Sequence, residues 1–254
     1  MDDAAHEDYF TARLEPWQRD AIASLGTHSP LPTEGAIAVP CCGPGRDLEL
    51  LAEALPEREI VGVDASLEMC SRARRRCRRF ARVRIEHADP TKLAAHWGGQ
   101  LGALLSCFGL QETPDPGATI SDWAHCLAPR GRMVVVFWPG EVESADAPFG
   151  ILRELLAAEL GRTPEASWEA GLPQLLEAAG ARILDDAAVT HPMEHPDASA
   201  LFEAFAHDEK GRALALEHGF ETIDRLRTRF VERLPEGPIV HHPVARRIVA
   251  ERVT

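Results

Sequence analysis

No apolar run in this 254-residue chain approaches the ~20 residues needed to cross a bilayer. The opening stretch MDDAAHEDYF is acidic and has no apolar core, so it does not read as a secretory signal. A cytoplasmic, reducing location is therefore expected, with the six cysteines held as thiols rather than disulfides. Those cysteines lack the C-x-x-C spacing of a metal or redox site, and no metal is expected. Positive charge is also in deficit. The net charge of -13 repels phosphate backbones and anionic lipid surfaces, which argues against nucleic acid or membrane as partner. No G-x-x-x-x-G-K-[ST] phosphate loop occurs, and there is neither an internal repeat nor a low-complexity segment.

What is present is an alternation of strand and helix patterns. After helical periodicity over residues 1–27 and the turn-rich stretch GTHSPLPTEG, short apolar runs appear at AIAVP, EIVGVD, VRIEHAD, LGALLSCF and RMVVVFW. Between them lie helical patterns at 46–55, Ser66 to about Phe80, TKLAAHW and ATISDWAHCLAP. Beyond residue 140 the pattern predicts helices at 149–161 and 168–179, a sixth strand at ARILDDAAVT, helices at 197–207 and 210–233, and a last strand in PVARRIVAERVT. Such alternation predicts an α/β, doubly wound parallel sheet, with ligands at the carboxyl ends of the strands. Cys41–Gly45, Asp64, Asp89 and Cys107–Phe108 all fall at such ends.

The stretch VPCCGPGRD at 39–47 joins the first strand to the first helix of the sheet. Glycines there let the backbone approach a ligand closely. A dinucleotide fingerprint requires G-x-G-x-x-G, but counting from Gly43 puts Leu48 where the third glycine belongs. Leu48 would crowd the packing of helix on strand, so nicotinamide and flavin dinucleotides are disfavoured, and an oxidoreductase with them.

In the order CCGPGRD, VGVDAS, EHADP, LLSCFGL and LAPRGRMVVVFW, the chain resembles the class I S-adenosylmethionine-dependent methyltransferases, closest to the small-molecule branch of ubiquinone and menaquinone methyltransferases. The resemblance covers about residues 35–139 and continues weakly beyond. It implies a Rossmann-like sheet of seven strands with an antiparallel last strand. It further implies S-adenosylmethionine as cofactor, leaving S-adenosylhomocysteine as product. Gly43 and Gly45, with Cys42 and Pro44, would admit the methionine and ribose. Asp64 would accept hydrogen bonds from both ribose hydroxyls, as a carboxylate can. Ala65, Ser66 and Met69 would flank the adenine, whose amino group Asp89, between Ala88 and Pro90, would accept. Cys107 and Phe108 would hold the methionine amine. Three positions depart from the family pattern: Val39 replaces its aspartate, Cys41 its first glycine, and Gly102 an acidic residue.

The expected organisation is one domain over 1–254: an N-terminal helical cap (1–30), a cofactor half (31–140) and an acceptor half (141–254) with a lid at about 191–240. Tyr9, Trp17, Phe137, Trp138, Phe149 and Phe202 are candidates to wall the acceptor pocket. Histidine suits a general base, and an antiparallel last strand would bring His191, His195, His241 and His242 to the active edge. One of these is expected to orient or deprotonate the acceptor. Cys70, Ala73, Cys77 and Phe80 share a helical face, so Cys70 and Cys77 read as core thiols. The eight arginines of 72–84 lie off that face and read as a solvated surface, not a phosphate track. The function expected is methyl transfer to a small molecule in bacterial metabolite or natural-product biosynthesis, by a monomer or homodimer. Two rivals stand beside it. One is a protein of the same fold that binds the cofactor without methyl transfer; the other is a thiol or metalloid methyltransferase using Cys41, Cys42 or Cys107.

Overall fold

The structure, a computed structural model, describes residues 3–140, 143–160, 168–207 and 209–253. Met1, Asp2 and residue 161, which the expected helices include, lie outside them. The elements run α1 (Asp3–Ser24), β1 (Ile37–Pro40), α2 (Arg46–Ala54), β2 (Ile60–Asp64), α3 (Leu67–Cys77) and β3 (Val83–His87). Then follow α4 (Ala94–Trp97), β4 (Leu101–Cys107), α5 (Pro116–Cys126), β5 (Leu127–Phe137), α6 (Pro148–Leu160) and α7 (Leu172–Ala178). The last are β6 (Ala181–Thr190), β7 (Met193–His195), α8 (Ala198–His207), α9 (Glu209–His218), α10 (Phe220–Glu232), β8 (Ile239–His241) and β9 (Val244–Arg252). The chain divides into two compact units: Trp17–Pro139 with Ser167–Val189 and Ala245–Thr254, and Met1–Pro16 with Gly140–Ala166 and Thr190–Val244.

The first, the sheet unit, holds a seven-stranded sheet in the order β3-β2-β1-β4-β5-β9-β6. Strands β1 to β5 pair in parallel, and β9 runs antiparallel to β5. This is the doubly wound sheet with an antiparallel last strand that the sequence predicts. The central strands are buried along nearly their whole length, as expected where helices cover both faces. Helix α3 starts on Ser66, whose side chain accepts from Met69 N, and it buries Cys70, Ala73 and Cys77, the predicted face. Helix α5 stops at Cys126, three residues short of the expected end, because Ala128 precedes a proline and is biased to extended backbone; Leu127 is already extended. The core gathers Trp123, Leu104, Val135, Phe137, Leu172 and Ile248.

The second, the helical unit, packs Ile151 and Leu155 of α6, Leu201 and Phe202 of α8, and Leu226 and Phe230 of α10 into its own core. The helix expected over 210–233 is two, since Gly219 at φ 85° breaks it. The unit also carries an unforeseen two-stranded ribbon, in which β7 pairs antiparallel with β8 so that Met193 faces His241 and His195 faces Ile239. Such a ribbon is marginal alone; the Arg13 side chain of α1 braces it by donating to the Glu194 carbonyl at 2.7 Å. No helix among the described residues is long and apolar enough to cross a membrane.

Candidate functional site

Strand β1 delivers the turn Cys41–Gly45 to the edge formed by the carboxyl ends of the parallel strands. The turn is pinned by Cys42 N donating to Val63 O at 3.1 Å and Gly45 N to Cys42 O at 3.0 Å. Gly45 sits at φ 88°, and a Cβ there would lie 2.9 Å from Ala73 Cα, so only glycine lets α2 meet α3. Around Gly43, at φ 50°, a Cβ would meet nothing within 4 Å, leaving open space over the turn. The crowding expected of Leu48 does not arise. Its side chain lies over Gly62 of β2, where a Cβ would come within 2.6 Å of Leu48 Cδ1. The glycine that permits close packing of helix on strand is supplied by the strand.

Cys41 adopts φ 52°, a conformation that costs a side-chain-bearing residue about 1–2 kcal/mol. Its side chain is accommodated by a second glycine, Gly109, at which a Cβ would lie 2.6 Å from Cys41 Cβ. Gly102, another of the three unusual positions, has Glu34 O 2.5 Å from where its Cβ would be, so no acidic side chain fits there. Burial pushes the Cys41 thiol up to about 12 and the Cys42 thiol up as well. Both stay protonated at neutral pH, unlike activated nucleophiles. No cluster of three metal-ligating side chains occurs among the described residues.

Asp64 ends β2 beside the turn. Gly43 N donates to its Oδ2 at 2.8 Å and Ser66 N to its Oδ1 at 2.9 Å. The carboxylate is thereby fixed in orientation, and each oxygen keeps acceptor capacity for a ligand hydroxyl. Ala88 N donates to Asp64 O, which ties the β3 loop to the same point. Asp89 in that loop accepts from Thr91 N at 2.9 Å and Thr91 Oγ1 at 2.6 Å; those bonds hold its carboxyl below the usual range. Trp123 Nε1 donates to Pro90 O at 2.7 Å. Arg76, from the arginine run, donates to Pro44 O at 3.1 Å and meets Glu49, while Arg79 pairs with Glu53 and Arg82 with Glu59. These three of the eight arginines thus meet carboxylates.

Two groups at this edge escaped the sequence reading. Asp47, in the first turn of α2, is buried, and burial pushes its carboxyl up to about 7 against hydrogen bonds from Cys107 and Gln18. Burial, then the charge of Asp47, raises the Cys107 thiol in turn. Asp47 Oδ1 and Gln18 Oε1 are buried acceptors with no hydrogen-bond partner among the described residues. Beside them Phe108 (φ 60°), Trp138 and Trp17 form an aromatic cluster, with ring centroids 4.5 Å apart for Phe108–Trp138 and 5.5 Å for Trp17–Trp138. Phe137, expected beside Trp138, is in the core against Trp168 at 5.0 Å, because neighbouring strand residues face opposite ways.

In the helical unit the structure brings His195 and His241 together and leaves His191 and His242 out of the pair. Their Nε2 atoms are 3.0 Å apart. Tyr9 Oη lies 2.6 Å from His195 Nδ1, and His241 Nδ1 lies 2.6 Å from Glu143 Oε1. Glu143 Oε2 accepts from Phe149 N at 3.0 Å, and the Phe149 ring stands edge-on to His241 at 4.9 Å. His242 is exposed, and its carbonyl accepts from Thr190 Oγ1 at 3.2 Å. Phe202, a candidate pocket residue, is in the core of this unit with Phe205 and Phe230. Glu143 carried no signal in the sequence, since it lies outside every regular pattern.

The sheet order, with one antiparallel strand between β5 and β6, is the class I methyltransferase fold. Residues 37–131 match the family model described as a methyltransferase domain. The chain is 31% identical over 156 residues to trans-aconitate 2-methyltransferase of Methylobacterium nodulans, covering 58% of this chain and 57% of that one. It thus spans little more than half the length of this curated relative. Among solved structures it superposes on the YcgJ protein of Bacillus subtilis with a TM-score of 0.60 at 15% identity, covering 94% and 99% of the two chains. Geranyl diphosphate C-methyltransferase of Streptomyces coelicolor, solved with S-adenosylhomocysteine, gives a TM-score of 0.57 at 16% identity over 95% and 80%.

Proposed function

We propose that this protein transfers a methyl group from S-adenosylmethionine to a small-molecule acceptor, as a cytoplasmic enzyme of bacterial metabolite or natural-product biosynthesis. The observation that carries the reading is Asp64, oriented by Gly43 N and Ser66 N beside the open side of the glycine turn. The turn would take the cofactor's methionine and ribose over Gly43, with Asp64 on the ribose hydroxyls and Ala65, Ser66, Met69 and Asp89 around the adenine. The unpartnered acceptors Asp47 Oδ1 and Gln18 Oε1 suit a cationic group, and the cofactor's ammonium is one. When bound, the cofactor supplies an activated methyl group on a sulfonium. The protein's part is to align the acceptor in line with it and to exclude water. The names of the relatives, trans-aconitate and geranyl diphosphate methyltransferases, favour a small organic acceptor over a macromolecule.

Calorimetric titration with S-adenosylmethionine and S-adenosylhomocysteine tests the cofactor. Wild type is expected to bind both, and Asp64→Ala to lose two hydrogen bonds to the ribose, about 10-fold or more in affinity. No heat with either ligand sinks the assignment. Mass spectrometry of candidate acceptors for the gain of one methyl separates transfer from cofactor binding without transfer.

A further inference from the structure

Among the eight arginines of residues 72–84, Arg76 reaches the glycine turn. Its Nε donates to Pro44 O at 3.1 Å. The other end of the same peptide, Gly45 N, donates to Cys42 O at 3.0 Å, so the Pro44–Gly45 peptide is held on both sides. The next carbonyl, Gly45 O, accepts from Glu49 N at 3.1 Å and from the buried Cys77 Sγ at 3.7 Å. Ala73 meets the turn beside them, since a Cβ on Gly45 would lie 2.9 Å from Ala73 Cα. Ala73, Arg76 and Cys77 are spaced i, i+3, i+4, so one face of α3 grips the turn. The same helix begins on Ser66, whose N donates to Asp64 Oδ1 at 2.9 Å. One helix thus steadies both the glycine turn and the carboxylate beside it.

The Arg76 guanidinium is itself fixed. Its Nη1 lies 3.4 Å from Glu49 Oε2, and Glu49 also takes Arg46 at 2.6 Å and Arg79 at 3.2 Å. The Glu49 and Arg76 side chains are 13% and 25% exposed, so the pair is screened less than one in open water. A planar guanidinium serves two acceptors at once, Pro44 O through Nε and Glu49 through Nη1, which the point charge of lysine does less well. The turn needs this support. Gly43 at φ 50° and Gly45 at φ 88° are the residue type with most backbone freedom, and a ligand that meets a loosened turn must first order it. Resting on the reading of this turn as the S-adenosylmethionine site, we propose that Arg76 is a positioning residue for the cofactor. It acts through the Pro44 carbonyl rather than on the ligand, and keeps the turn in its binding shape before the cofactor arrives.

Calorimetric titration with S-adenosylmethionine and S-adenosylhomocysteine gives the first test. Arg76→Ala is expected to bind each about 10-fold more weakly than wild type. Arg76→Lys, which keeps the charge and one donor, should recover part of the loss, and Arg75→Ala, at an exposed position of the same run, should bind as wild type. With an acceptor that wild type methylates, Arg76→Ala should raise KM for S-adenosylmethionine by the same factor and leave kcat within about 2-fold, since the support acts on binding alone. The second test is amide hydrogen exchange at Gly45 without ligand, expected about 10-fold faster in Arg76→Ala. Glu49→Gln, which frees the guanidinium without altering α3 or the turn, should show smaller changes in the same directions and carries the test if Arg76→Ala does not fold. Wild-type affinity in Arg76→Ala (or in Glu49→Gln where the alanine variant does not fold), an equal loss in Arg75→Ala, or unchanged exchange at Gly45 overturns the proposal. No heat with the wild-type protein removes the cofactor reading and this role with it, whereas wild-type heat undiminished in Arg76→Ala removes the role alone.

Discussion

Cys41 occupies a position where a glycine is expected, and Gly109 makes room for it. Gly109 has φ −88° and ψ −33°, which alanine adopts without strain, so Gly109→Ala tests the contact alone. The new methyl would sit 2.6 Å from Cys41 Cβ and 3.0 Å from Ser106 Oγ, where carbon pairs prefer about 3.5–4.0 Å. Relieving an overlap of this size costs about 1–3 kcal/mol, and restricting the unfolded chain returns about 0.4–1 kcal/mol. A net loss of about 1–2 kcal/mol should lower Tm by about 2–8 °C in a chain of this size. Cys41→Gly removes both the clashing atom and the left-handed strain of about 1–2 kcal/mol, against lost thiol packing and a more flexible unfolded chain. In that background Gly109→Ala should be neutral or stabilising. Urea unfolding followed by tryptophan fluorescence on the four proteins gives the coupling energy, expected at about 1–2 kcal/mol. If Gly109→Ala costs the same in both backgrounds to within about 0.5 kcal/mol, the two positions are not coupled and the account of Cys41 is wrong.

Asp47 makes stability depend on pH in the sense opposite to a salt-bridged carboxylate. Its folded value is raised from 3.8 to about 7, so the protonated form is favoured by folding. The associated stability is present below about pH 4 and lost as pH rises to about 7, by about 4 kcal/mol. Unfolding free energies of wild type minus Asp47→Asn at pH 5 and pH 8 should show this difference shrinking with pH, and a flat difference refutes it. The thiols of Cys41, half-buried, and Cys42, buried, should react with iodoacetamide at pH 8 far more slowly than in urea-unfolded protein, because burial raises both and keeps them protonated. Labelling of either at the unfolded rate would restore a nucleophilic role.

The central strands β1, β2 and β4 were legible because each is a short apolar run with glycine, proline or aspartate in or beside it. A central strand covered on both faces leaves that mark in any sequence. The glycine turn and Asp64 were legible for the same local reason: they lie at strand ends, where the fold class puts ligands. Local signals also misled. Leu48 was weighed as an obstacle because the sequence alone does not reveal that Gly62, fourteen residues away, lies beneath it. Phe137 and Phe202 read as pocket aromatics from their places after the fifth strand and in the expected lid, and packing put both in cores.

By itself, then, the sequence determined the class of sheet, the turn between β1 and α2, and the carboxylate that faces it, since period, turn chemistry and strand ends are local properties. Only the tertiary structure decided which histidines pair. His195 and His241 are 46 residues apart and Tyr9 is 186 from His195, and no spacing along a chain encodes which side chains a ribbon and a helix bring within hydrogen-bond reach. It also decided that Cys41 is answered by Gly109 and that Asp47 is a buried acid. Both follow from what lies across the fold from each residue and is excluded from water with it.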